Sequence, residues 1–197
     1  MNALELNKIQ KLYFGYEEIA RIKGITPASA KVAASRYVRQ GLLLRLKNNL
    51  YVLRQRWDNA SLEEKFCLAN IIQCPSYISL STALGYYEIT TQVQQNFFES
   101  VAVKRTRELR PAGSVFRYSK LNGALYFGFR KEKGIFLAAP EKALLDACYL
   151  MSFGRYALDL HALEMERFDQ KTIRKYATRF PLKTRRLLEK HGYIQAA

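Results

Sequence analysis

The stretch TPASAKVAASRYVR, Thr26 to Arg39, concentrates small, polar and cationic side chains at helical spacing. On a helix, Ala28, Val32, Ser35, Arg36 and Arg39 share one face, with Ser29 and Lys31 on its flanks. The chemistry open to such a face is recognition. Arginine can pair with base edges or phosphates, and small neighbours let a helix sit deep in a major groove. The opposite face carries Ala30, Ala33, Ala34 and Tyr37, with Val38 at its edge, so another helix can approach it closely. A second cationic group decorates LLLRLKNNLYVLR, where Lys47-Asn48-Asn49 separates two short apolar runs. Asn48 and Asn49 tolerate the left-handed backbone of a tight hairpin turn, and Arg45 and Lys47 flank that turn, with Arg54 and Arg56 beyond it. The candidate contacts to double-stranded DNA are therefore Thr26, Ala28, Ser29, Lys31, Val32, Ser35, Arg36 and Arg39 on the helix. Arg45, Lys47, Asn48 and Asn49 supply those on the hairpin.

Catalytic patterns are missing from the sequence. It has no P-loop, no Gly-x-Ser-x-Gly, no His-Glu-x-x-His and no dinucleotide fingerprint. Glu141 and Asp146 are a carboxylate pair, but on one helix they lie about 140° apart. Glu141 is more simply a favourable charge in a first helical turn. Cys67, Cys74 and Cys148 form no Cys-x-x-Cys and read as small buried thiols. His161 and His191 have no metal-ligand spacing to a cysteine and read as solvated. No cofactor and no metal are expected.

The elements that must position the cationic face are legible around it. Leu4, Leu6, Ile9 and Leu12 fall on one side of a first helix. YEEIARIK reads as a second, with Glu17 and Glu18 in the first turn, where the helix dipole favours them. Gly24 can take positive φ at its exit. Thr26 is an N-cap and Pro27 the first helical residue of a third helix, which Gly41 ends. Three helices and a basic hairpin make a winged helix-turn-helix over residues 1–56. The alternative is a helical hairpin and a β-hairpin with a solvated basic face.

Charge favours the first reading. The chain has 197 residues and a net charge of +15, and residues 1–56 hold 11 Lys/Arg against 3 Asp/Glu. A basic surface of this size attracts polyanions, nucleic acid first, and is compatible with an anionic membrane face. Hydrophobic residues at 49% supply a packed core. No apolar run reaches membrane-spanning length and the first twenty residues lack a signal-peptide layout, so a cytoplasmic protein is expected.

Residues 57–197 read as an α+β domain. RQRWDNA is a short polar link, and Ser61 to Glu64 is a capping box opening a helix through about Gln73. A turn at Pro75-Ser76 and a short helix from Ser79 to near Gly85 follow. FFESVAV, SVFRYSKL, ALYFGFRK and GIFLAA read as strands of an antiparallel sheet, the last two joined as a hairpin. APEKALLDACYLMSF returns to helix, with Lys142 and Asp146 paired on its surface. Further helices are expected near Ala157–Glu166, Gln170–Thr178 and Leu182–Lys190. The basic run KRTRELR, Lys104 to Arg110, is either a phosphate or acidic-partner contact or a solvated loop. The basic C-terminal helices either extend a DNA surface or are solvated.

GITPASAKVAASRYVRQGLLLRLKNNLYVL, CPSYISLSTALGYYEITTQV and GIFLAAPEKALLDACYL resemble corresponding stretches of the AbiEi antitoxins of bacterial AbiE-type (type IV) toxin–antitoxin systems. Together with their spacing they extend over most of residues 10–150. The resemblance implies a winged helix that binds inverted repeats in its own promoter and represses the operon, with room for a homo-oligomer on the DNA. It also implies a C-terminal domain that counteracts a nucleotidyltransferase-like toxin encoded beside it, without a stable complex. Two other classes stay open. One is a winged-helix transcription regulator whose second domain senses a ligand or assembles an oligomer. The other is a nucleic-acid-processing enzyme that docks through the winged helix.

Overall fold

The computed structural model describes residues 6, 8–92 and 95–195. The chain is α+β, with eight α-helices and two sheets among the described residues. It divides into two compact units, Met1–Leu68 with Pro111–Gly113, and Ala69–Arg110 with Ser114–Ala197.

In the first unit, α1 (Tyr16–Lys23) ends at Gly24 with φ 61°, a left-handed conformation that only glycine takes without strain. The turn delivers Thr26, whose hydroxyl accepts from Ser29 N at 3.2 Å and so caps α2 (Pro27–Arg39). Gln40 and Gly41 then turn the chain into β1 (Leu43–Lys47), which pairs antiparallel with β2 (Leu50–Leu53) around Asn48 and Asn49. The core packs Ala30, Ala33, Ala34 and Tyr37 of α2 with Ile19, Phe14, Leu43 and Tyr51.

Two expectations fail here. Among the described residues no α-helix precedes Tyr16 (Leu4 lies outside them). Leu6 and Ile9 are buried, but the chain then bends so that Phe14 can bridge to Tyr51, with N–O distances of 3.0 and 2.8 Å. Apolar spacing marked Leu6 and Ile9 for the core, where they pack without an α-helix among the described residues, while Leu12 is half-buried. RQRWDNA is likewise no link. Arg54–Asp58 is a helical turn, α3, that buries Trp57. Lys65, on α4 (Leu62–Ile72), lies 3.4 Å over that ring, and burial pushes its ammonium down to about 8. The Ser61–Glu64 capping box forms as expected, with both reciprocal bonds made.

The second unit is built on a six-stranded sheet ordered β5-β6-β4-β3-β8-β7. Its strands are β3 (Ser76–Ile78), β4 (Phe97–Ala102), β5 (Arg107–Leu109), β6 (Val115–Lys120), β7 (Phe129–Glu132) and β8 (Ile135–Ala138). The sheet is mixed, not antiparallel: β4 runs parallel to β6, and β3 to β8. After β4 the chain runs out to the edge as β5 and returns as β6 between the two. The connection therefore sets the strand directions, which alternation of side chains does not encode. KRTRELR thus becomes partly an edge strand, and the start of the expected third strand is instead a 3₁₀ turn at Gly123–Leu125 followed by irregular chain through Phe127 and a bend at Gly128. Ala157–Glu166 likewise holds 3₁₀ turns at Leu160–Ala162 and Met165–Arg167 instead of a helix.

The remaining helices are α5 (Leu80–Tyr86), α6 (Pro140–Ser152), α7 (Gln170–Ala177) and α8 (Leu182–Lys190); α6 packs against the other three. The largest correction falls on α6. Lys142 and Asp146 are not on the surface; both are fully buried. The Lys142 ammonium donates to Asp146 and, at 2.8 Å, to the Tyr77 hydroxyl. Tyr77 and Ser79 each donate to Asp146 Oδ2, at 2.9 and 2.8 Å. Burial drives Lys142 down and Asp146 up, toward neutrality, and their mutual pairing opposes both shifts. This network ties α6 to β3 and to the entrance of α5. Gly128, at φ 71°, passes so near that an added Cβ would lie 3.0 Å from the Lys142 stem.

Breaking this pair leaves an uncompensated charge, which costs about 3–5 kcal/mol. Lys142→Met should therefore destabilise the second unit by about that much in urea unfolding. Lys142→Met combined with Asp146→Leu should recover a substantial part of the loss. A single variant as stable as the parent would show that the pair contributes nothing.

Candidate nucleic-acid interface

The structure divides α2 as its spacing requires. Ala30, Ala33, Ala34 and Tyr37 are buried, while Ala28, Ser29, Lys31, Val32, Ser35, Arg36 and Arg39 are all exposed. Val32, an apolar residue in the middle of that face, is 57% exposed. The Ser35 hydroxyl donates back to Lys31 O at 3.1 Å. Thr26 sits at the N-terminal end of the same face, its oxygen committed to capping and its hydroxyl donating to Ser29 Oγ at 3.0 Å. Next to this face lies a shallow depression of about 350 Å³ lined by Lys23, Ile25, Ser29, Val32, Ala33 and Arg36. Lys23 and Ile25 were not anticipated. Their signal is position, because they flank the Gly24 turn that brings α1 to the start of α2.

The electrostatics of this face are one-sided. No Asp or Glu occurs between Glu18 and Asp58. The carboxylates that bound the interval are engaged elsewhere. Lys11 and Arg21 grip Glu18 at 2.7 and 2.6 Å, and these hydrogen bonds, Arg21 first, hold its carboxyl at about 2. Asp58 pairs with Arg54, and Glu64 with Arg56. Arg54 and Arg56, expected to decorate the hairpin, thus lie on α3 and serve its local packing.

On the hairpin the four candidates separate. Arg45 Nε donates to Lys47 O at 3.3 Å and a terminal guanidinium nitrogen to Asn48 Oδ1 at 3.2 Å, so Arg45 braces the turn and keeps its charge exposed there. Lys47 is half-buried and Asn48 exposed. Asn49 turns the other way. Its backbone has φ 51°, its Oδ1 accepts from Tyr16 N at 2.8 Å, and its Nδ2 donates to the Glu17 carboxylate at 2.8 and 3.0 Å. Gly15 has no side chain to cap α1, so Asn49 supplies the acceptor from 33 residues away. A Cβ on Gly15 would lie 2.1 Å from Glu17 Oε2, so a larger residue there would displace the Glu17 carboxylate.

Elsewhere, Glu141 and Asp146 occupy separate surroundings: Glu141 accepts from Asp169 N, and Asp146 belongs to the buried network. Cys148 is buried and its thiol pushed up to about 12, but Cys67 is only half-buried and Cys74 is exposed. His161 and His191 lie with ring centroids 5.6 Å apart, and His191 is half-buried. No group of three potential metal ligands comes together among the described residues. No described helix is long and apolar enough to cross a membrane.

No protein-family model matches the chain, and no curated protein matches it.

The Asn49 contacts give a separable stability effect. Asn49→Ala loses the cap on α1 and the amide hydrogen bonding that lets asparagine tolerate left-handed backbone, a combined cost of about 1–3 kcal/mol. Asn49→Gly keeps the backbone and should cost roughly half as much. Thermal unfolding of the two variants checks this; equal stability with the parent in both would mean the cap is not felt.

Proposed function

We propose that residues 1–56 form a winged helix-turn-helix that binds double-stranded DNA, with α2 as the helix that enters the major groove. The observation that carries this reading is the acid-free exposed face of α2. Small side chains there permit close approach, Arg36 and Arg39 offer guanidinium forks for base edges or phosphates, and Val32 offers an apolar contact for a thymine methyl. The β1–β2 hairpin is the wing, carrying Arg45 and Lys47 to the backbone. Through its resemblance to AbiEi antitoxins, the chain is proposed to act as an autorepressor on inverted repeats of its own promoter. The same resemblance makes it an antitoxin against a nucleotidyltransferase-like toxin, acting in the cytoplasm without a stable complex.

Arg36→Ala and Arg39→Ala should weaken binding to the upstream duplex. A lost bidentate base contact removes about 1–3 kcal/mol of discrimination, whereas a lost phosphate contact lowers the salt slope by about one unit. Fluorescence anisotropy with upstream and random duplexes at several salt concentrations separates the two. Unchanged affinity for both DNAs in both variants would remove α2 as the reader.

The antitoxin part is tested apart from repression. The doubly substituted Arg36→Ala/Arg39→Ala chain should rescue growth when the adjacent toxin is expressed from an unrelated promoter. Absence of rescue by the parent chain under the same conditions would leave a transcription regulator without a toxin partner.

A further inference from the structure

The second unit contains a cleft that none of the DNA-binding argument uses. It has a volume of about 570 Å³, within the size range of small-molecule sites, and lies against the ends of α5 and β4. Its walls include Ser81, Phe97, Glu99, Arg117, Tyr156 and Asp159. Glu99 is 2% exposed, a carboxylate deep in the wall of an open cleft. Ser81 Oγ and Tyr156 OH donate to it at 2.6 and 2.7 Å, and both bonds fall on Oε2. Oε1 is left as an acceptor at the cleft. Burial, then Glu99 itself, pushes the Tyr156 hydroxyl well up, so it stays a donor.

The cleft is acidic on balance, unlike the chain, with two carboxylates against one guanidinium. Arg117 is its cation, but Glu108 takes two of its nitrogens at 3.0 Å, and its guanidinium lies 4.8 Å over the Phe97 ring. That leaves the Glu99 and Asp159 carboxylates facing the space, in a protein of net charge +15. Asp159 is exposed and accepts only from His161 N among the described residues. A carboxylate held in place by two hydroxyls, a second carboxylate at the rim and an apolar wall from Ala157 and Leu158 suit a ligand with an ammonium head and a short alkyl body.

We propose that this cleft binds a small alkylammonium compound, with Glu99 as the group that receives its ammonium. The site is independent of what the N-terminal unit binds.

The test is titration of the ¹⁵N-labelled full chain with putrescine, with 1,4-butanediol as the uncharged control and sodium chloride matching ionic strength. Saturable shifts of the Ser81, Phe97, Glu99 and Tyr156 amides with putrescine alone are expected. Glu99→Gln should weaken binding about tenfold or more, since a hydrogen bond to a charged group is lost. Thr91→Arg, at the exposed rim, places a cation in the cleft without disturbing the core and should abolish the shifts. It carries the test if Glu99→Gln fails to fold. No saturable shift, equal shifts with the diol, or undiminished binding in either folded variant would overturn the proposal.

Discussion

The close packing of the alanine face of α2 is the constraint on which the N-terminal unit depends. Ala30 and Ala34 have no exposure at all, and Ala33 and Tyr37 little more. Methyl-sized side chains let α1 and the hairpin close over that face, and larger ones would overpack it at a cost of about 1–3 kcal/mol. Fixing which side faces the core also fixes which faces outward, because a 3.6-residue period cannot turn one set without the other. The exposed cationic face is thus a consequence of core packing. The Gly24 turn and the Thr26 cap serve the same end by setting where α1 gives way to α2, and the distant Asn49 cap ties the other end of α1 to the hairpin.

The second unit rests on a different kind of constraint. Its α6 is held to the sheet by a buried, hydrogen-bonded charge pair whose acceptor capacity is filled by Tyr77 and Ser79. Such a pair is a weak source of net stability, because desolvation offsets attraction, but it is intolerant of misalignment. Three short segments, β3, the start of α5 and α6, must therefore arrive together. This gives the SYIS and PEKALLD stretches a physical reason to occur in one chain, apart from any family resemblance.

How far the sequence could be read follows the range of each signal. Thr26-Pro27, Gly24 and Ser61 to Glu64 act within four residues, and the structure places them as read. The two faces of α2 were legible because one period governs thirteen consecutive residues. The failures are non-local. Asn49 reads as a hairpin-turn residue, and its other task depends on α1, 33 residues earlier. Lys142 and Asp146 have the spacing of a surface pair, and only the packing of Tyr77 and Ser79 buries them. Strand β3 has three residues, too few for alternation to register, although it lies inside the sheet. The Glu99 cleft had no sequence signal, because Ser81, Glu99 and Tyr156 come from three separate segments.

The claim that α2 is read into DNA is tested most directly by a photo-crosslinking residue at Val32, compared with one at Leu62. Both positions are exposed and apolar, at 57% and 48%, and they lie on different helices. With the upstream duplex, the account predicts crosslinking from position 32 to bases in the major groove, competed by unlabelled upstream DNA, and none from position 62. Crosslinking from position 62 with none from position 32, or from neither in a complex that demonstrably forms, would contradict it.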